Sequence, residues 1–208
     1  MTVTRSQWVL LLTVLATLVW SGIEPLERSV WWMEVAPVIL GVGALVICWR
    51  RFPWTPLSCL LIALFGVILC VGGHYTYAEV PLGHWAAEIF DLSRNHYDRL
   101  GHFFQGVVPA IMARELLLRC TPLRQGKAMF WVVAAIALAV SATYEIVEWW
   151  TALLADPDAG TAFLGSQGDV WDAQWDMALA LLGALLTLLT LGRLHDAQLE
   201  QLRRKASA

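Results

Sequence analysis

Charge is what this sequence has least of. Only 15% of its 208 residues are Asp, Glu, Lys or Arg while 58% are hydrophobic, which excludes an ordinary soluble domain. The formal net charge is −3 and no basic tract interleaved with aromatics exists beyond Arg203, Arg204 and Lys205, so nucleic acid is excluded as a partner. Cysteine is scarce as well: Cys48, Cys59, Cys70 and Cys120 form no CxxC pair, which argues against a disulfide framework or a cysteine zinc site. There is no HExxH, nucleophile elbow or phosphatase signature. The apolar run behind Arg5 has Trp20 and Glu24 where a signal-peptide cleavage site would need small residues, so it reads as a retained span.

What is abundant is apolar length. A helix needs roughly 20 mainly apolar residues to cross the hydrocarbon core. The runs Trp8 to Ile23, Val35 to Trp49, Leu57 to Gly72, Ala128 to Trp150 and about Trp171 to Gly192 meet this requirement or approach it with tilt. Between them Tyr97 to Leu118 is more polar at both ends but keeps the uninterrupted core FFQGVVPAIMA, with a kink expected at Pro109. The expected fold is all-α, a polytopic bundle of about six transmembrane helices forming a single integral membrane domain over residues 1–208.

Basic residues orient this bundle, because cytoplasmic loops carry the excess. With the N-terminus inside, eleven of the fourteen Lys and Arg fall on the inner side and only Arg28, Arg94 and Arg99 fall outside. Both termini are then cytoplasmic, with a tail over about 193–208 and long outer loops over about 73–96 and 151–170. Acids collect on the opposite side: Glu24, Glu27, Glu34, Glu79, Glu88, Asp91, Asp98, Asp156, Asp158, Asp169 and Asp172. Tryptophans at 31, 32, 149, 150, 171 and 175 mark the same boundary as an aromatic belt.

Three of the spans carry acids on a stripe of small residues. In the last span Asp172, Asp176, Ala180 and Ala184 recur at i, i+4 beside Gly183. Small residues mark helix contacts in membranes, so this stripe faces other helices and not lipid. The fourth span repeats the pattern with Asp98, His102, Gln105 or Gly106, Pro109 and Ala113, and the fifth reverses it through Ala134, Ala137, Ser141, Glu145 and Glu148. Alternating direction brings all three polar ends to similar depth, which predicts one cluster of Asp98, His102, Glu145, Glu148, Asp172 and Asp176, with Asp169 above it.

Helix capping accounts equally well for Asp169 with Asp172 and for Asn95 with Asp98. It does not account for Asp176 or His102, a turn deeper, nor for Glu145 and Glu148, which sit where the helix dipole repels anions. Acids inside a span are costly and need a partner, a proton or a water-filled cavity. Too few bases lie nearby in sequence to neutralise them, so either some are protonated or a divalent metal ion binds. ExxE and DxxxH place paired ligands on single helical faces, and a mixed oxygen and nitrogen shell suits zinc, manganese, iron, magnesium or calcium.

Elsewhere the signals are weaker. His84 and Glu88 share a face of a short amphipathic stretch, HWAAEIFDL, and His74 and His96 flank the same loop, His96 directly before the polar end of the fourth span. On the inner side Arg114 is expected to snorkel or to bind a lipid phosphate, and Glu115 to pair with Arg119.

The segments HYDRLGHFFQG, YEIVEWW and FLGSQGDVWDAQWDM resemble the YjdF-like family of bacterial inner-membrane proteins, and the resemblance covers nearly the whole chain. It implies a multi-pass protein of the bacterial inner membrane. A more distant similarity is to VanZ-like membrane proteins, associated with resistance to a glycopeptide antibiotic, which place an acid before His-Phe, a later glutamate position and a final acid ahead of a small-residue helix. Glu148 and Asp176 stand where that pattern prefers Gln and Asn, a departure that makes this site more acidic.

Three functions compete. A metal-dependent enzyme at the outer leaflet would use His102 or Glu148 as general base, with Asp176 in the reacting centre, on a lipid-linked or envelope substrate among membrane lipids. A structural or assembly protein would use the acids only to knit helices through shared protons. A proton- or cation-coupled transporter would place acids nearer the midplane and show an internal repeat, which this chain lacks.

Overall fold

The computed structural model describes residues 4–154, 160, 163, 164 and 166–207, and among them the regular structure is entirely helical. Within the expected outer loop over 151–170, residues 155–159, 161, 162 and 165, with Asp156 and Asp158 among them, lie outside the described residues. The helices are α1 (Arg5–Ser21), α2 (Arg28–Cys48), α3 (Pro56–Tyr75), α4 (Pro81–Phe90), α5 (Tyr97–Cys120), α6 (Lys127–Leu154), α7 (Asp172–Thr190) and α8 (Gly192–Ser207).

Local chemistry sets their starts. Thr4 and Gln7 form a capping box ahead of α1, and Thr55 caps α3 with Pro56 at its first turn. Asn95 joins α4 to α5: its Nδ2 donates to the Val80 carbonyl at 3.0 Å while its Oδ1 accepts from the Tyr97 amide at 3.0 Å. The amide of Asn95 fills the space where a side chain at Gly83 would go, so only glycine fits that turn of α4.

Four helices are long and apolar enough to cross a membrane, α2, α3, α6 and α7, and α1 is apolar but shorter at 17 residues. Helix α5, the expected fourth span, is not among them, because Asp98, Arg99, His102, Gln105, Arg114 and Glu115 lower its apolar character. It is instead the axis of the bundle, packed on α3, α6 and α7. Leu57, Leu61, Val107, Val108 and Ile111 fill the α3–α5 interface, and Ala110, Ala113, Val133, Ala137 and Ala184 form the α5–α6–α7 seam. Alanine and glycine dominate this seam because backbones can then approach closely, the main source of attraction where lipid is as apolar as leucine.

The closest approach is between α5 and α7. A Cβ at Gly106 would collide with the Ala180 carbonyl, and one at Gly183 with the Phe103 carbonyl. Large apolar side chains of α1, α2 and α6, among them Val19, Leu40, Ile47, Trp131 and Leu153, point outward, as lipid contact requires. Trp32, Trp149, Trp150, Trp171 and Trp175 are exposed as an aromatic belt requires, whereas Trp31 is buried and donates to Ser21 Oγ at 3.0 Å.

At the end of the bundle where α8 docks, a second polar core forms. Glu115, fully buried, accepts from Ser58 Oγ at 2.6 Å, Thr55 Oγ1 at 2.8 Å, Arg119 at 2.7 Å and His195 Nε2 at 3.2 Å. Its pairing with Arg119 follows the i, i+4 spacing. Arg114 neither snorkels nor faces lipid: it is buried, donating to His195 Nδ1 at 3.1 Å and to Asp196 at 2.6 Å. Because a guanidinium can only donate, His195 Nδ1 accepts and its Nε2 carries the proton given to Glu115.

Candidate functional site

The other polar core lies at the opposite end of α5. The buried stripe of α5 begins Asp98, Gly101, His102, Gln105, Gly106, that of α7 begins Asp172, Asp176, Ala180, and α6 contributes Ser141 and Glu148. These are the i, i+4 stripes written in the sequence, and their convergence is a consequence of the glycine-mediated approach of α5 to α7.

His102 is the hub. Its Nε2 lies 3.5 Å from Asp98 Oδ1 and 3.9 Å from Asp176 Oδ2, and its Nδ1 lies 3.0 Å from Gln105 Oε1 and 3.4 Å from Glu145 Oε1. Gln105 presents an acceptor to Nδ1, so Nδ1 donates, and Nε2 lies between the Asp98 and Asp176 carboxylates. Asp98 Oδ2 and Asp176 Oδ1 are buried with no hydrogen-bond partner among the described residues, although Asp98 is 8% and Asp176 2% exposed. One ligand atom each from Asp98, His102 and Asp176 falls within 4.8 Å of the others, and the same holds for His102, Glu145 and Glu148.

These residues fit a divalent ion on three counts. Two ligand atoms each about 2.1 Å from a tetrahedral ion stand roughly 3.4 Å apart, close to the spacings around Nε2. The Nδ1–H bonded to a carbonyl oxygen is the outer-shell arrangement that fixes the tautomer of metal-binding histidines. The orphaned carboxylate oxygens supply lone pairs for which the described protein offers no donor.

Asp172 and Asp169 have other partners. Arg94 donates to Asp172 Oδ1 at 2.7 Å and to the Ser166 carbonyl at 2.9 Å, and Arg99 donates to Asp169 at 2.9 Å. Asp169 Oδ1 also accepts the Trp171 amide at 2.9 Å, turning the chain into α7. The pair forms a charged rim tying the segment before α7 to the start of α5, one turn above the His102 group. His96 sits on the same rim at the start of α5. Burial first, and then the neighbouring Arg99 and Arg94, hold its pKa below the usual histidine value. His74 and His84 are elsewhere: His74 bonds the Ser21 carbonyl at 3.0 Å, and His84 pairs with exposed Glu79 at 3.1 Å, not with Glu88.

One acid of the site escapes a reading by apolar runs. Helix α2 begins at Arg28, not at Val35, so Glu34 is nearly two turns inside it and is buried. It faces Tyr77 and Tyr144 and lines a cavity of about 150 Å³ together with Asp98, His102, Gln105 and Glu148. Tyr77 reaches that position because Thr76 and Tyr77 adopt positive φ of 59° and 44°, folding the ring back over Gly72. A side chain at Gly72 would overlap that ring, and one at Gly101 would stand 3.1 Å from it. The signal available in the sequence was an acid between WWM and VAPV, too far from Arg28 for a helix boundary.

The family model for predicted membrane proteins DUF2238 matches residues 6–197. The chain belongs to this family. It is also 50% identical over 190 residues to the inner membrane protein YjdF of Escherichia coli (strain K12), covering 91% of this chain and 90% of that one. No solved structure matches the chain. Family membership, an inner-membrane relative and several apolar helices place the chain in the inner membrane.

Proposed function

We propose that this is a six-span protein with both termini cytoplasmic, whose outward-facing pocket binds one divalent metal ion and acts as a hydrolase or group-transfer enzyme on a lipid-linked or envelope substrate. The two spans beyond the four clearly apolar helices are α1 and α5, the latter shielded from lipid by α3, α6 and α7. The bias of Lys and Arg toward the ends near residues 50, 119, 124 and 193 supports the orientation.

The observation that carries the metal reading is the conjunction at His102: Nε2 lies between Asp98 and Asp176, whose second oxygens are buried without donors among the described residues. In this reading Asp98, His102 and Asp176 are the ligands, and Gln105 holds the imidazole through its Nδ1. A bound divalent ion would supply Lewis acidity toward water or a carbonyl or phosphoryl oxygen. Glu148, which lines the cavity from α6, is the residue placed to take a proton from that water. Arg94 and Arg99 pair Asp172 and Asp169, which leaves those acids as the rim of the pocket.

The test is the metal content of purified protein by elemental mass spectrometry. Wild type is expected to hold about one equivalent per chain, as a closed ligand set of this kind does. Asp98→Asn with Asp176→Asn is expected to lose it while remaining folded. Wild type that stays metal-free after supplementation with each plausible divalent ion would leave the structural reading, acids sharing protons between helices, in its place.

A further inference from the structure

We propose that the pocket is the head-group end of a groove open sideways to the bilayer between α2 and α6, built for an amphiphile with an ammonium-bearing head; this rests on the outward pocket described above and names its substrate class. The cavity that holds Glu34, Asp98, His102 and Glu148 continues along an apolar floor of Phe65 and Pro109 to walls made by Pro37 of α2 and Val140 of α6. Pro37 and Val140 both line the cavity and are exposed, so its mouth reaches the outer surface of the bundle. All four of these apolar residues stand near the middle of their helices, whereas Asp98 and Tyr77 stand at helix ends and Glu34 and Glu148 within two turns of them. The groove therefore changes along its length from hydrocarbon depth to a polar end, as an acyl or prenyl chain with a head group does.

Helices α2 and α6 lean on different partners, α2 on α3 and α6 on α5 and α7, which leaves the gap between them. Each of the two prolines removes an amide donor from its helix, freeing the carbonyls of Met33 and Gln105 four residues earlier. The polar end thus sets carboxyl and carbonyl acceptors beside the Tyr77 and Tyr144 hydroxyls, the Gln105 amide and the His102 ring. No Lys or Arg lines the cavity among the described residues, while Glu34, Asp98 and Glu148 do, with Glu145 and Asp176 behind them against His102. One divalent ion would match two of these five formal negative charges. A head group that adds positive charge and N–H donors is complementary to what remains, and a bare phosphate is not.

The test uses the full chain in phosphatidylcholine nanodiscs, photolabelled with diazirine-bearing dodecylamine or with dodecyl phosphate carrying the same diazirine, and labelled peptides are mapped by mass spectrometry. The amine is expected to label α2 and α6 at the groove about tenfold more than the phosphate, a difference of about 1.4 kcal/mol in binding. Val140→Trp should fill the mouth and remove that labelling while keeping the bound metal. Equal labelling by the phosphate, or by an uncharged dodecyl alcohol probe, overturns the ammonium assignment without needing any variant. Undiminished labelling of a folded Val140→Trp protein overturns the groove. Metal loss in Asp98→Asn, Asp176→Asn is scored separately, so the metal reading and the groove can fail independently.

Discussion

His102 and Asp176 face each other across the α5–α7 contact with Nε2 and Oδ2 3.9 Å apart, one turn from the point where Gly106 rests on the Ala180 backbone. The two features are one design. Without a glycine at position 106 the helices could not come close enough to bring this histidine and aspartate together.

Gly106→Ala is accordingly expected to be disruptive even though it adds one methyl group. Its Cβ would occupy the space of the Ala180 carbonyl, and forcing backbones apart at a packed contact costs about 1–3 kcal/mol or more. Thermal unfolding in detergent should show a lowered midpoint, together with weakened metal binding. Gly41→Ala, at a glycine with open space around it, is the control and should leave both unchanged.

The buried Glu115 network predicts a separate stability effect at the other end of the bundle. Glu115→Ala strips Ser58, Thr55, Arg119 and His195 of their acceptor at once, and leaving a buried charge unpaired costs on the order of 3–5 kcal/mol. Loosened docking of α8 should follow, seen as faster hydrogen exchange over residues 192–207. Metal content should not change, because the two polar cores lie at opposite ends of α5.

Asp172 and Asp176 are one turn apart on α7 but should behave differently. Asp172→Asn weakens the tie to Arg94 and should raise hydrogen exchange in residues 166–171 while retaining bound metal. Asp176→Asn should lose metal and leave exchange in that segment near wild type. The reverse pattern would move the ligand set outward to the arginine rim.

Metal affinity should fall as pH is lowered. An imidazole nitrogen and two carboxylates must be free of protons to bind an ion, so protons and metal compete for the same atoms. Titration calorimetry at several pH values should show proton release on binding, with more protons released as the pH is lowered.

How much of this could be read from sequence depended on whether partners lie on the same periodic stripe. Asp98 with His102, Ser141 with Glu145 and Asp172 with Asp176 recur every four residues on long helices, so both the helices and the faces they bury were legible. Glu34 was not, because apolar content starts α2 at Val35 while the chain becomes helical at Arg28. Arg114 reads from sequence as a lipid-facing cation because its partners His195 and Asp196 come from a tail that looks like a solvated anchor but docks, with His195 and Leu199 buried. The role of Asp172 stayed open because its partner Arg94 comes from a loop, where no period links sequence to position.

The most direct measurement is anomalous diffraction from crystals grown with manganese or zinc, recorded at the absorption edge of the metal. A single peak within coordination distance of His102 Nε2, Asp98 and Asp176 is the predicted result. Absence of a peak there, or a peak only at the exposed His84–Glu79 pair, would contradict a metal centre in this pocket.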